Sequence, residues 1–272
     1  MTAAACGLAA ALAVALAASH AAAQSAPTQS TPSQSTPVPK PAPKVRDVAQ
    51  TAPAAAKQAA PAVTGTTNQP PPNPIIPDPR NRAPTNIFAT FDANQKAQAS
   101  KVSNYLSSLT LLAGNFVQVG PDGSKTKGDF YMQKPGKVRF EYDAPSPIAI
   151  IADGSAVAVR DRKLATQDIY PLSQTPLRFL LSDRVDLMKD TNVISVTQDE
   201  LFITITIEEK QALIGTSRLM LMVGVKDNQL KQWTVTDPQG YDTTVAVYNL
   251  EQPKKLDPGL FKIDFTNYSI PN

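Results

Sequence analysis

The side chains that most often do chemistry are nearly missing from this chain. Its 272 residues include one histidine and one cysteine. Both, His20 and Cys6, fall within a leader-like stretch. The apolar run from Leu8 to Ala18 is too short to span a bilayer, and Ala21, Ala22 and Ala23 supply small residues for cleavage. Residues 1–23 are therefore expected to be a signal peptide, with Gln24 as the mature N-terminus, although no lysine or arginine precedes the apolar run. Cys6 stands before that run and so is not placed to carry an acyl anchor. Without histidine or cysteine, the rest of the chain cannot build a Ser-His-Asp triad, a thiolate nucleophile or a His/Cys metal site. Its carboxylates sit mostly where turns want them, at Asp122, Asp143, Asp153, Asp161 and Asp237. Neither G-x-S-x-G nor a glycine-rich phosphate loop occurs. Catalysis, a metal and a cofactor are not expected.

What remains is apolar chemistry, the kind that packs a core or holds a greasy ligand. Val138, Phe140 and Tyr142 alternate with Arg139 and Glu141. Leu201, Ile203, Ile205 and Ile207 share one face of a run whose other face carries Thr204 and Thr206. Met220 and Met222 share one face of a run that is apolar on both. Methionine suits irregular core gaps and promiscuous apolar ligands alike, so these two read as filler or as ligand contacts. Trp233, the single tryptophan, reads as a core anchor or as a ligand platform.

The elements that must position these groups are strands. Alternating runs cover 113–119, 126–133, 137–143, 147–152, 155–161, 165–170, 192–198, 201–207, 216–225, 229–237 and 241–250. Turn signals such as Pro121-Asp122-Gly123, Asp153-Gly154 and Pro238-Gln239-Gly240 separate them. One helix is predicted from about Ala93 to Leu109, with Asp92 as its cap and Val102, Tyr105, Leu106 and Leu109 at helical spacing. A second, short helix starts at Thr175-Pro176, where proline suits the first turn, and carries Leu177 and Leu180. Arg178 on that helix reads as a solvated charge with a packed stem, or as a contact for a headgroup or partner. Short sequential connections favour neighbouring strands, and a long twisted meander must curl. The expected fold is mainly β: an incomplete, unclosed antiparallel barrel of about eleven strands with a helical lid. Eleven strands enclose more space than side chains fill in a small barrel, so either a helix or two must plug the barrel or a ligand must occupy it.

Residues 24–84 are a different material. They hold fifteen of the twenty-five prolines, among Ala, Ser, Thr and Gln. Such a segment buries too little apolar surface to offset its ordering entropy and is expected to be a disordered tether, either a passive spacer or a weak electrostatic contact for anionic surfaces. It carries a net charge of +4 out of the chain's +3, which leaves −1 for residues 85–272. The high isoelectric point therefore belongs to the tether and gives the globular domain no case for nucleic acid.

Several motifs in the globular part resemble those of the LolA family of periplasmic lipoprotein carriers. They are Phe116-Val117-Gln118, Gly128-Asp129-Phe130, the run Lys134 to Tyr142 (KPGKVRFEY), the turn Asp153-Gly154, and Thr175-Pro176. The resemblance spans roughly Asn86 to Asp264 and implies a LolA-like lipoprotein-binding domain over 85–272. It implies a periplasmic location and lipidated proteins as cargo. It further implies receipt from an inner-membrane ABC-type exporter and delivery to an acceptor or membrane on the outer side. A carrier of another lipid, or a sensor of mislocalised lipoprotein, remains the alternative on the same fold. The residues this reading sets against an acyl chain are Phe116, Phe130, Phe140, Tyr142, Leu177, Leu180, Met220, Met222 and Trp233. Family members often carry arginine before the proline, where it ties sheet to lid. Here the position is Lys134, which keeps the charge but loses the planar fork of donors. Lys134 is thus expected to be a surface-facing latch onto lid carbonyls.

Overall fold

Asp92 sets the start of the first helix, α1 (Ala93–Ser108). Its carboxylate accepts from the Gln95 amide at 2.7 Å, and the Gln95 side chain accepts from the Asp92 amide at 3.0 Å. This reciprocal box satisfies two of the orphan donors that every helix start carries. Ala99, Val102, Ser103 and Leu106 fall on one face at three- and four-residue spacing, and that face is buried. The computed structural model describes residues 69–78, 90–211 and 215–265. The expected signal peptide and most of the expected tether lie outside the described residues.

Eleven strands follow: β1 (Leu111–Val119), β2 (Lys125–Gln133), β3 (Lys137–Tyr142), β4 (Ile148–Asp153), β5 (Ala156–Asp161), β6 (Thr166–Pro171), β7 (Val193–Gln198), β8 (Phe202–Gln211), β9 (Gly215–Gly224), β10 (Leu230–Thr236) and β11 (Asp242–Glu251). They form one antiparallel sheet in the order β6-β5-β4-β3-β2-β1-β11-β10-β9-β8-β7. Two sequential meanders are thus joined by the pairing of β1 with β11. The neighbours in sequence β6 and β7 end on opposite edges, so the barrel does not close. The chain between them crosses the concave side through a 3₁₀ turn (Leu172–Gln174), α2 (Leu177–Leu181) and α3 (Leu187–Asp190). Turn chemistry holds the strand order locally. The Asp153 carboxylate, for example, accepts from the Ser155 and Ala156 amides at 2.8 and 2.9 Å, the self-capping that makes Asp a turn former.

Period-two alternation decides which side chains enter the concave face. On β3 these are Val138, Phe140 and Tyr142, and on β8 they are Ile203, Ile205 and Ile207; all belong to the main core. Leu201 does not join them. It precedes β8 in the turn and is 60 % exposed, because the Asp199 carboxylate caps the Leu201 and Phe202 amides and ends the pleat there.

Residues 69–78 correct part of the tether expectation. They lie against the convex face of the sheet. The Gln232 side chain accepts from the Ile75 amide at 2.8 Å and donates to the Ile75 carbonyl at 2.7 Å. The Gln69 amide donates to Asn249 at 3.2 Å, and Lys125 donates to Asn73 at 3.2 Å. Proline at 70, 71, 72, 74 and 77 pre-sets the extended backbone, so ordering this piece costs less entropy than its composition suggests. A later segment packs on the same convex side, where Ile263 meets Ile151 and Ala158.

Candidate functional site

The concave face gathers an aromatic cluster around Phe140. Its ring meets Phe116 edge-on at 5.3 Å, stacks on Phe130 at 5.9 Å and meets Trp233 at 6.2 Å. Phe116 also meets Tyr142 edge-on at 5.0 Å. Strand pairing explains the grouping: Phe130 stands opposite Phe140 across β2 and β3, and Phe116 stands opposite Gly128, where a Cβ would lie 1.9 Å from the Glu141 carbonyl oxygen of β3. Tyr142 is the polar member. Its hydroxyl donates to Gln118 Oε1 at 2.6 Å, and burial pushes its phenol well above the usual range.

Helices close this face. Leu106 and Leu109 at the end of α1, and Leu177, Leu180 and Leu181 of α2, lie over the aromatic cluster in the same core. α1 is stitched to the start of α3 and the residues just before it by hydroxyls that the apolar spacing did not flag. Ser103 Oγ accepts from the Leu187 amide at 3.1 Å, and Ser107 Oγ accepts from the Val185 amide at 3.1 Å. Ser103 and Ser107 sit four residues apart on α1, the spacing of one helical face.

Of the residues expected against an acyl chain, the structure brings seven together: Phe116, Phe130, Phe140, Tyr142, Leu177, Leu180 and Trp233. Met220 and Met222 are not among them. On β9 the inward positions are Leu219, Leu221 and Val223, which by alternation sends both methionines to the convex face. There they line an open groove with Thr204, Thr206 and Thr234 under the 69–78 segment, and Met222 sulfur accepts from Gln232 at 3.4 Å. The run from Leu219 to Val223 is apolar on both faces, so the sequence offered no way to choose the register.

Of the two ways to fill the space that eleven strands enclose, a plugging helix or a ligand, the structure shows the helix. The void left under α2 is about 30 Å³, enough for a water molecule and far too small for an acyl chain. The helices and their leucines fill what the strands enclose. An apolar guest needs the lid displaced.

Lys134 lies elsewhere than expected. It is buried, 8 % exposed, and its Nζ donates to the Leu106 carbonyl at 2.5 Å. It therefore holds the C-terminal turn of α1, where the Leu106 carbonyl also accepts a longer bond from the Leu109 amide at 3.4 Å, rather than α2. Burial pushes its ammonium down to about 8, against a smaller upward pull from Asp183. The ties to α2 come from neighbours. The Gly136 amide donates to the Leu181 carbonyl at 2.8 Å. Gly136 has φ +75°, and a Cβ there would lie 2.7 Å from Gly154 Cα, so only glycine fits. Arg178 is paired rather than solvated. It bridges to Glu209 of β8 at 2.6 Å and lies 4.1 Å over the Phe179 ring.

Among the described residues, no helix is long and apolar enough to cross a membrane. The pattern of the family described as outer membrane lipoprotein carrier protein LolA matches residues 107–264, more than half of the chain. An outer-membrane lipoprotein carrier protein of Methylococcus capsulatus is 28% identical over 172 residues, covering 60% of this chain and 81% of that one. An uncharacterised Rickettsia prowazekii protein is 32% identical over 115 residues, covering 42% of this chain and 54% of its own. A LolA superfamily structure from Nitrosomonas europaea superposes with a TM-score of 0.36 at 10% identity, over 65% of this chain and all of that one; at that score the likeness carries no weight for function. The matched stretch runs from the end of α1, through the whole sheet and its lid helices, to the segment behind β4 and β5, and the chain belongs to the LolA family of outer membrane lipoprotein carrier proteins.

Proposed function

We propose that this protein shelters the acyl chains of lipoproteins between its concave sheet and its lid helices, and carries them through the periplasm from the inner to the outer membrane. In this reading an ABC-type exporter loads it and an outer-membrane acceptor, or the membrane itself, unloads it. One observation carries the reading: a continuous apolar interior, floored by Phe116, Phe130, Phe140 and Trp233, lies beneath a short helix held to the sheet rim by a few polar contacts. The physical task is clear. An acyl chain exposed to water costs roughly 0.8 kcal/mol per CH₂, and transfer of an apolar surface from water to this interior removes that cost. Hand-over needs the loaded and empty states to differ little in free energy, and a five-residue lid helix with few ties meets that need.

The test is binding and transfer by delipidated protein. A fluorescent fatty-acid analogue is expected to bind and to be displaced by an acylated peptide, but not by the same peptide without its chains. Phe140→Glu places an unpaired charge at the centre of the aromatic cluster and is expected to abolish binding. Absence of binding by the unmodified protein would overturn the reading. Mass spectrometry of copurifying material separates cargo classes: acylated protein is expected, and phospholipid alone would make this a carrier of another lipid.

A further inference from the structure

The void under α2 has a chemically peculiar wall. Every side chain that lines it lacks an N–H or O–H group, with one exception, Trp233. Trp233 is 3 % exposed, and its Nε1 is buried with no hydrogen-bond partner among the described residues. A buried donor without an acceptor destabilises a fold, and phenylalanine at this place would give an aromatic wall without that penalty. The indole is also held in place. It packs against Phe140 at 6.2 Å and stands opposite Leu221 and Val245 on the neighbouring strands. Leu177 and Leu180 of α2 line the same void, so displacement of α2 opens onto the indole.

We propose that the Trp233 N–H reads the ester carbonyl of a fatty-acyl ester. This deepens the carrier reading and rests on it. In the closed state the donor is unsatisfied. When α2 lifts and acyl chains enter, an ester C=O at the head of a chain supplies the missing acceptor, and the penalty present in the empty protein is relieved only in the loaded one. The hydrocarbon chain fits any apolar wall, so hydrophobic contact alone does not distinguish an acyl ester from an alkyl ether of the same length. A single oriented donor in an apolar surround does, because an acceptor that pairs with it is favoured over a group that leaves it bare.

The experiment uses the delipidated full chain and two lipopeptides, identical except that one carries its chains as esters and the other as alkyl ethers. Trp233 is the only tryptophan, so its own emission reports occupancy. The ester peptide is expected to bind about five-fold more tightly than the ether, the range of one hydrogen bond, with a lowered ester carbonyl stretching frequency in the bound state. Trp233→Phe, followed by displacement of a fluorescent fatty-acid analogue, is expected to bind both peptides equally. Equal binding of the two by the unmodified protein, with an unshifted carbonyl band, overturns this inference and leaves the carrier reading standing. Binding of neither peptide overturns both. If Trp233→Phe does not fold, the ester–ether ratio and the carbonyl band of the unmodified protein still decide.

Discussion

At the scale of single residues, Lys134 offers a measurable titration. An unfolded lysine loses its proton near about 10.4, whereas in the folded protein burial brings Lys134 down to about 8. Between those values the unfolded chain binds more protons, so stability rises with pH in that window and the gain is absent below pH 8. Buried Tyr142, held above its ordinary value, pulls the other way once free tyrosine ionises near about 10. The useful window is therefore pH 8 to about 10. Urea midpoints are expected to climb across it in the unmodified protein and to stay flat in Lys134→Met; an equal climb in both would show that another group titrates. Lys134→Leu is expected to lower stability by about 1–2 kcal/mol, since the Leu106 carbonyl at the end of α1 loses its charged donor and keeps only the longer bond from the Leu109 amide. The Arg178–Glu209 bridge has side chains 29% and 17% exposed, which places its coupling at about 1 kcal/mol. A double-mutant cycle to alanine, read by the rate of fatty-acid analogue binding, is expected to show each single variant accelerating entry and the pair adding little more. Unchanged rates in the singles would remove this bridge from the lid contacts.

Among the elements, the segment 69–78 behaves as an eleventh-hour partner of the sheet rather than as free chain. Its backbone is met from both sides by the one Gln232 amide, and its prolines lower the entropy lost on docking. Truncation of residues 24–68 is expected to leave the melting temperature unchanged. Extending the truncation through residue 84 is expected to lower it by a few degrees, with Gln232→Ala reproducing part of the drop by leaving the Ile75 amide and carbonyl unpaired. Equal melting of the two truncations would mean that the docked segment contributes nothing. α2 shows the opposite economy. Five residues cannot hold a helix by propensity alone, so its stability is that of Leu177, Phe179, Leu180 and Leu181 in the core and of the contacts from Gly136 and Glu209.

For the whole molecule, the open edge between β6 and β7 is what distinguishes this sheet from a sealed barrel. A closed barrel would fix the interior volume, whereas here helices complete the wall. The void under α2 is about 30 Å³, so in the proposed carrier an acyl chain enters there only after the lid moves. The observed rate of acyl-probe binding is therefore expected to saturate at high probe concentration, at a plateau equal to the opening rate. A rate that rises linearly throughout would mean that the probe binds outside the sheet, with the convex groove beside Met220 and Met222 as the place to look.

The sequence by itself determined the strand count, the strand boundaries to within two residues except at the end of β8, the capped first helix and which residues of β3 share a face, because alternation and turn chemistry are local. It also placed the lid helix, since Pro176 and the leucines after it leave little choice. Three things came only from the tertiary structure. The inward face of β9 depended on its neighbours β8 and β10, since Leu219 to Val223 is apolar on both sides and only pairing sets the register. The environment of Lys134 depended on where the end of α1 falls, twenty-eight residues away in sequence. The filling of the interior depended on the path from β6 to β7, which carries α2 and its leucines across the concave face. Local pattern specifies which residues are apolar and when they alternate. Which of them meet, and how much space they leave, is set by long-range packing that no short window contains.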